Sequence, residues 1–360
     1  MSSIRPLEAA DLPAVASLYA ELDGRDPSLP YPGYERFFGR VLLGAPFADP
    51  EIPSLVFEAP GEGVVGVIGS HVRPFRFGEE SLRVACCGPL VVRAAHRPRG
   101  VGALLLRRYL AGPQDLLVND RTLEEVRGMW TALGAYSHGG AAIGWRRVLA
   151  PLGAGSAAAF RRRFDRQVPP GGRALAPLDA AFGRRHRPAA PEGGGREPLS
   201  AAGFAELVES LRREFPLRPA YDADFLAALL SAMVGVDVAG ELVGTLVRDE
   251  RGQAVGAYVM YAARHGRAEV QQVICARERA GFVLDHLFEQ AATAGVVEVR
   301  GRLEQHLQAA LAERRARLFS DYWVTVHSRD PQLAATVLAG RALLGRLDGE
   351  WWMRPTPEGQ

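Results

Sequence analysis

The chain has 360 residues, of which 48% are hydrophobic and 23% are charged, and its formal net charge is +2. At roughly 150 residues per domain, this length predicts two or three globular domains, and the composition excludes a disordered or collagen-like chain. No apolar run reaches the about 18 residues of a membrane-spanning helix, and the first residues lack the apolar core of a secretory signal. We therefore expect a cytoplasmic protein without a membrane partner.

All 43 basic residues are arginine, so the chain contains no lysine. This excludes Schiff-base and P-loop chemistry, which both need a lysine. The segment 159–198 holds nine arginines against four acidic residues. A basic linker in an otherwise near-neutral chain is weak evidence for nucleic acid, and we expect no such partner.

Cysteines and histidines show no metal-binding pattern. Cys86, Cys87 and Cys275 form no CxxC pair, and the eight histidines stand singly, without an HExxH motif. We therefore expect no metal site and reduced structural thiols.

The first half alternates helix and strand patterns. Asp11 is the predicted N-cap of a helix over 12–19, and apolar periodicity predicts a second helix over 32–43. The elements predicted after these are strands at 54–58, 64–72 and 82–92, a helix at 101–110, a strand at 115–118, a helix at 123–133 and a closing strand at 144–149.

The segment 151–199 is rich in Pro, Gly, Ala and Arg, which predicts a linker with short helices at 157–164 and 177–182. The second half then repeats the order of two helices followed by three strands. Its predicted elements are helices at 200–215 and 222–233, strands at 242–248, 254–262 and 268–275, a helix at 280–294, a strand at 296–301, a helix at 305–319 and a strand at 322–327. We predict an α/β fold with two similar domains, 1–150 and 200–360.

The loop after the strand at 82–92 carries the chemistry. Gly100 and Gly102 lie where a buried strand meets an amphipathic helix, and Arg97 and Arg99 precede them. Glycines let the backbone approach a ligand, and the N–H groups of a helix N-terminus favour an anion. The pattern therefore predicts a pyrophosphate site.

The loop has two other interpretations. A dinucleotide fingerprint needs a third glycine at position 105, which is Leu105, so that interpretation is excluded. The glycines could also serve only a tight strand-to-helix turn.

The motif Arg97-x-x-Gly100-x-Gly102-Ala103 after an apolar strand resembles the acyl-CoA loop of the GNAT superfamily of N-acyltransferases. The resemblance covers most of residues 4–149. It implies two mixed-sheet GNAT-like domains in tandem, with an acyl-CoA, most simply acetyl-CoA, bound to the first. The acyl-CoA-binding residues that it implies are Leu90, Val91, Val92, Arg97, Arg99, Gly100, Val101, Gly102, Ala103 and Asn119.

The catalytic groups are less well marked. Many relatives use a tyrosine as general acid, and here Trp130 takes that place unless Tyr136 does. Many also carry a glutamate base on the strand before the loop; here only Glu79 and Glu80 at its entrance could serve, and they could equally lie in a solvated turn. Catalysis by Cys86 or Cys87 would need an adjacent histidine.

The corresponding junction of the second half, 273–281, lacks the Gly-x-Gly motif and contains Glu278. This half resembles a degenerate GNAT domain that would complete the acceptor pocket. The ending, 347–352, predicts a turn into an aromatic strand that either packs in the core or faces the substrate.

These features predict an N-acetyltransferase that acts on a small-molecule or peptide amine by direct attack in a ternary complex. The alternatives are a non-catalytic, CoA-binding or structural tandem protein, and a tRNA-dependent aminoacyl ligase on the same fold.

Overall fold

Within the residues that this computed structural model describes, 2–164, 175, 178–179, 186, 188, 190–191 and 193–358, the chain forms an eight-stranded and a seven-stranded β-sheet. The strands are β1 (Ser3–Pro6), β2 (Leu55–Ala59), β3 (Gly63–Phe77), β4 (Glu80–Val92), β5 (Leu116–Thr122), β6 (Tyr136–His138), β7 (Ile143–Val148), β8 (Gly195–Pro198), β9 (Leu217–Pro219), β10 (Glu241–Arg248), β11 (Ala254–Ala262), β12 (Arg267–Cys275), β13 (Glu298–Arg302), β14 (Arg317–Ser320) and β15 (Trp323–His327).

The α-helices of the described residues lie between these strands. They are α1 (Leu12–Leu22), α2 (Pro32–Phe38), α3 (Val101–Leu110), α4 (Glu124–Ala132), α5 (Pro151–Phe164), α6 (Ala201–Ser210), α7 (Ala223–Ala232), α8 (Ala280–Thr293), α9 (Gln308–Glu313) and α10 (Pro331–Leu338). The helix predicted over 101–110 is confirmed at both ends. Its apolar stripe faces the sheet, and Gly100 is its N-cap residue.

The two sheets have the same plan. The order in the first is β1-β2-β3-β4-β5-β15-β6, with β9 on the edge of β3, and in the second it is β14-β7-β13-β12-β11-β10-β8. In each, an antiparallel hairpin leads into a parallel pair, β4 with β5 and β12 with β13. A short 3-10 turn and a helix follow β4 and β12, as in the repeat that the sequence predicts.

Each sheet takes strands from the other half of the chain, the first sheet β15 and the short β9, and the second sheet β7. β15 lies between β5 and β6 in the first sheet, and β7 lies between β13 and β14 in the second. The strand predicted at 144–149 therefore does not close the first sheet, since its edge pairs with β13. The division into domains at residue 150 remains a prediction about folding units, and the sheets exchange strands across it.

A shared apolar core joins the halves. Phe37 meets Trp352 edge to face with ring centroids 6.2 Å apart, and Phe47 meets Phe225 at 5.6 Å. All four side chains belong to one buried cluster. Packing of aromatic rings across the halves therefore stabilises their relative position.

Three local predictions differ from the structure. Asp11 occupies the N-cap position of α1, but its side chain makes no capping hydrogen bond, because the carboxylate accepts hydrogen bonds from the Arg5 guanidinium and from the N–H of Glu8. The helix predicted over 305–319 ends at Glu313, since Arg315 adopts a left-handed φ of 58° and β14 pairs with β7.

The third concerns the chain end. Residues 347–352 form turns rather than an aromatic strand, and both tryptophans there are buried in the core. The helix predicted at 157–164 is part of α5. The helix predicted at 177–182 lies, apart from residues 178 and 179, outside the described residues.

Candidate functional site

The junction between β4 and α3 exposes backbone donors. A 3-10 turn, Ala94–Arg99, follows β4, and Gly100 then adopts a left-handed φ of 73°, which favours glycine. No side chain caps the helix that begins at Val101. The first N–H groups of α3 therefore have no intrahelical acceptor, and the helix dipole makes this end attractive to an anion.

Gly102 leaves room beside these donors. A Cβ atom there would lie 3.8 Å from Cγ2 of Val92 and 4.0 Å from Sδ of Met129, which are ordinary contacts. A Cβ atom on Gly100 would meet nothing within 4 Å. Packing does not require glycine at 102, so the open space over α3 is available to a ligand.

The parallel pair opens beside this junction. Pairing of β4 with β5 ends at Cys86 and Val118, whereas β4 continues to Val92 along β3. Because the N–H of Arg93 donates to Val65 on β3, alternation turns the backbone groups of Val92 and Leu90 towards the open side. These groups can bind an extended ligand.

A pocket of about 320 Å³ fills the opening between β4, β5, α3 and α4. Its lining residues are Leu90, Val92, Arg97, Gly100, Gly102, Ala103, Asn119, Arg121, Thr122, Leu123, Val126, Met129, Trp130 and Glu350. Nε of Arg97 donates to the carbonyl of Val92 at 2.9 Å, which holds the guanidinium at the mouth of the pocket.

Most of the predicted acyl-CoA-binding residues meet in this pocket. Those that line it are Leu90, Val92, Arg97, Gly100, Gly102, Ala103 and Asn119. Val91 and Val101 are instead buried in the core, and Arg99 lies against the ring of His96 at 3.4 Å. The loop therefore brings its own backbone and Arg97 to the pocket, but not Arg99.

The structure does not bring the predicted catalytic carboxylates to the pocket. Glu79 and Glu80 are exposed in the hairpin between β3 and β4, where Glu79 faces Arg76 at 3.9 Å. At about 3.3 Å per residue, Glu80 lies roughly 30 Å along β4 from Leu90. Both side chains are therefore in contact with solvent and too far from the pocket to touch a substrate bound there.

The two candidate general acids differ in position. Tyr136 is half-exposed on β6 and does not line the pocket, whereas Trp130 is buried and lines it. The alignment that places Trp130 opposite the usual tyrosine therefore fits the pocket better than the one with Tyr136.

The neighbouring thiols are poor nucleophiles. Cys86 and Cys87 are buried, and burial raises the pKa of each thiol well above its usual value. His71 pairs with Cys86 across β3 and β4, but burial lowers the pKa of that imidazole. Both partners are neutral near pH 7, so no thiolate forms.

Sequence reasoning missed Glu350. This residue comes from the C-terminal segment and lies 231 positions from Asn119, whose Nδ2 donates to Glu350 Oε1 at 2.7 Å. Burial raises the pKa of Glu350 to about 7. No motif surrounds it; the only signal is an acidic residue between Gly349 and two tryptophans.

The second half has filled its corresponding site. A Cβ atom on Gly281, the second residue of α8, would lie 2.8 Å from the guanidinium of Arg314, which pairs with Asp285 at 2.6 Å. The N–H of Arg277 before α8 donates to Glu214 at 3.2 Å. Internal side chains thus occupy the place that stays open at α3.

The described residues contain neither a candidate metal-binding cluster nor a candidate membrane-spanning helix. No group of three or more His, Cys, Asp or Glu side chains in that part of the chain could hold a metal ion. None of the helices found there combines the length and the apolar character needed to cross a bilayer.

Known proteins resemble this chain in structure rather than in sequence. No protein-family model and no curated protein matches the chain. A GCN5-related N-acetyltransferase from Kribbella flavida matches with a TM-score of 0.55 and 16% identity, over 91% of this chain and 72% of that one. Another from Anabaena variabilis matches with a TM-score of 0.57 and 10% identity, over 92% and 73%.

The Saccharomyces cerevisiae N-myristoyltransferase with bound myristoyl-CoA is also similar. It matches with a TM-score of 0.53 and 10% identity, over 90% of this chain and 82% of that one. At these identities the likeness shows the fold: the chain has the GNAT fold with two mixed sheets in tandem, which confirms the predicted fold class.

Proposed function

We propose that this protein transfers an acyl group from an acyl-CoA to an amine, and that the acyl group is acetyl. The observation that carries the proposal is the pocket of about 320 Å³ where an uncapped helix N-terminus and the open edge of β4 meet. A pyrophosphate joined to pantetheine requires two features: N–H groups that donate hydrogen bonds to an anion, and an exposed strand edge that pairs with an extended ligand.

The parts of CoA have separate places in this proposal. The pyrophosphate lies against the first N–H groups of α3 with the Arg97 guanidinium beside it. The pantetheine amides pair with the backbone of Leu90 and Val92 in place of the missing strand contact. Asn119 donates to the Cys87 carbonyl at 2.6 Å and thereby links β5 to β4 at the inner end of the opening.

A short acyl group suits the remaining volume. The pocket must hold the pantetheine end as well as the acyl group, and the buried ring of Trp130 takes part in its lining. Backbone N–H groups at the opening of β4 polarise the thioester carbonyl, which favours attack by an amine held in the same complex. The acceptor is a small-molecule or peptide amine that enters beside the second half.

Calorimetry and a transfer assay test the proposal. Full-length protein should bind acetyl-CoA at one site per chain, and release CoA thiol with at least one of benzylamine, spermidine and a lysine-containing tetrapeptide. Because the chain has no lysine, any acetyl group found on a lysine side chain must be on the peptide acceptor and not on the protein itself. Binding without transfer would support the non-catalytic alternative, and absence of binding would overturn the proposal.

A further inference from the structure

The C-terminal segment, residues 345–354, enters the first half and is fastened to β5. The N–H of Glu350 donates to Oδ1 of Asp120 at 2.7 Å. A Cβ atom on Gly349 would lie 2.1 Å from Cγ of Asp120, so this close approach requires glycine. The two tryptophans that follow Glu350 are buried. Backbone contacts and packing therefore fix the position of Glu350 independently of its side chain.

The side chain of Glu350 fills the gap between β4 and β5. Nδ2 of Asn119 donates both to the carbonyl of Cys87 at 2.6 Å and to Oε1 of Glu350 at 2.7 Å. The other carboxylate oxygen, Oε2, lies against Gly88, where a Cβ atom would be only 1.6 Å away. Oε2 accepts no hydrogen bond from the described residues, and the side chain borders the pocket.

Glu350 is the only carboxylate among the described residues that line this pocket. We propose that Glu350, supplied by the second half of the chain, is the general base that takes a proton from the acceptor amine. This inference rests on the proposed acyl transfer and assigns the base that the first half lacks.

The step balances with the groups present. The amine nitrogen forms a bond to the thioester carbonyl carbon, and Oε2 of Glu350 takes one proton from that nitrogen. Collapse of the tetrahedral intermediate breaks the C–S bond, and sulfur leaves with the electron pair. The proton then passes from Glu350 to the thiolate, whose conjugate acid has a pKa of about 8.5. The products are an amide and CoA, and the carboxylate is regenerated.

The charges around Glu350 tune this base. Burial and, to a smaller extent, the carboxylate of Asp120 on β5 together raise the pKa of Glu350 to about 7. Arg121 on the same strand and the hydrogen bond from Asn119 oppose that increase. A base with a pKa near the working pH is half ionised there and accepts a proton efficiently.

Neutral groups complete the surroundings. From β4, Cys86 and Cys87 face the carboxylate as buried thiols whose pKa burial raises. From α1, Tyr19 faces it with a pKa that burial raises to about 12. None of these three groups changes its charge between about pH 6 and about pH 8, so the titration of Glu350 is coupled chiefly to that of Asp120, whose pKa burial also raises.

The test compares Glu350→Gln with the wild type. Glutamine keeps the acceptor oxygen for Asn119 but cannot take a proton at neutral pH. Transfer is measured with acetyl-CoA and the amine accepted in the panel above, then with a fluorinated, less basic analogue of it. We expect kcat/KM to fall at least about a hundredfold in Glu350→Gln, while the Kd for CoA changes less than about threefold.

The pH profile separates a base from a structural tether. In the wild type, kcat/KM should rise with pH through a midpoint near pH 7 and level above it. If the rise of kcat/KM reflects ionisation of the acceptor amine, its midpoint pH shifts with the basicity of that amine. If the rise reflects Glu350, its midpoint is the same for both amines, and Glu350→Gln should lack this fixed rise, or limb, of the profile. Glu350→Asp, which keeps a carboxylate, should retain the limb with reduced turnover, and this variant also guards against misfolding of Glu350→Gln.

Glu304→Gln is the matched control. Glu304 is a largely buried carboxyl group of the second half that lies outside the pocket, and its replacement should leave transfer unchanged. Wild-type transfer with equal activity and the same pH limb in Glu350→Gln would overturn the role of Glu350 and leave the proposed function standing. Absence of both CoA binding and transfer in the wild type would overturn the two together.

Discussion

Gly88 and Glu350 are in direct contact, so that a Cβ atom on Gly88 would stand 1.6 Å from Oε2 of Glu350 and 2.3 Å from its Cδ. The three nearest atoms to that position all belong to Glu350. Glycine at 88 therefore makes room for a side chain that arrives from the far end of the chain.

Gly88→Ala should push the Glu350 carboxylate out of the gap between β4 and β5. The clash involves the end of a flexible side chain, so we expect the protein to fold, to bind CoA and to lose at least about tenfold in transfer. Gly128→Ala, in an open position on α4, is the control. Full transfer activity in Gly88→Ala, with Glu350 shown to be displaced, would contradict a role for this contact.

Gly102→Asp should weaken CoA binding by at least about tenfold, or roughly 1.4 kcal/mol. The substitution places a side chain and a negative charge beside the free N–H groups of α3, where the pyrophosphate is proposed to bind. Gly155→Asp, also at an open position within a helix, should leave the affinity unchanged. Calorimetry measures both; equal affinity in the two variants would remove the loop from the site.

Trp130→Phe should cost little in turnover. A CoA thiolate is a fair leaving group because its thiol pKa is about 8.5, so no protonation by residue 130 is needed. Stability should fall by roughly 1 to 3 kcal/mol, because Trp130 is 2% exposed and the smaller ring leaves a cavity. A loss of turnover beyond about a hundredfold in folded protein would show that this assignment of roles is wrong.

Stability should decrease as pH rises through the titration of Glu304. Burial raises the pKa of Glu304 from 4.5 to about 8. Since the folded state binds this proton more tightly than the unfolded state, the stabilisation is complete below about pH 4.5 and is lost as pH rises through about 8. Denaturant titrations between about pH 5 and about pH 9 should show a smaller decrease in Glu304→Gln, and no change of slope in the exposed control Glu125→Gln.

Cleavage within the linker should not separate the halves. A protease site inserted between Pro170 and Gly171 leaves β15 between β5 and β6, and β7 between β13 and β14. The two fragments should therefore elute together in gel filtration and bind CoA as the intact chain does. Fragments that part without denaturant would show that the exchanged strands contribute little to association.

Local patterns predicted most elements and most of one site. The periodicity of 101–110 and the glycine motif at its start depend on neighbours in sequence, so the α3 junction with Arg97 followed from the chain alone. The family resemblance implied the lining residues Leu90, Val92 and Asn119. Glu79 and Glu80 showed the limit of that approach. They are near the loop in sequence but are separated from it by the length of β4.

Long-range pairing was beyond local patterns. The apolar character of 144–149 correctly predicted a strand, yet the same residues could pair in either sheet, and only the packed structure determines which. Glu350 follows the same rule, because its contacts with Asn119 and Asp120 bridge about two thirds of the chain. A similar order of elements in the two halves does not reveal an exchange between them.

The exchange of strands also sets an order for biosynthesis. β5 lies between β4 and β15, and residues 123–322 must be translated before β15 can cover its open edge. At about 5 to 20 residues per second, that edge waits on the order of 10 to 40 s, during which it can pair wrongly. A chain released early thus has the complete α3 junction but an unfinished sheet and no Glu350, so under the proposed function it would not transfer an acyl group.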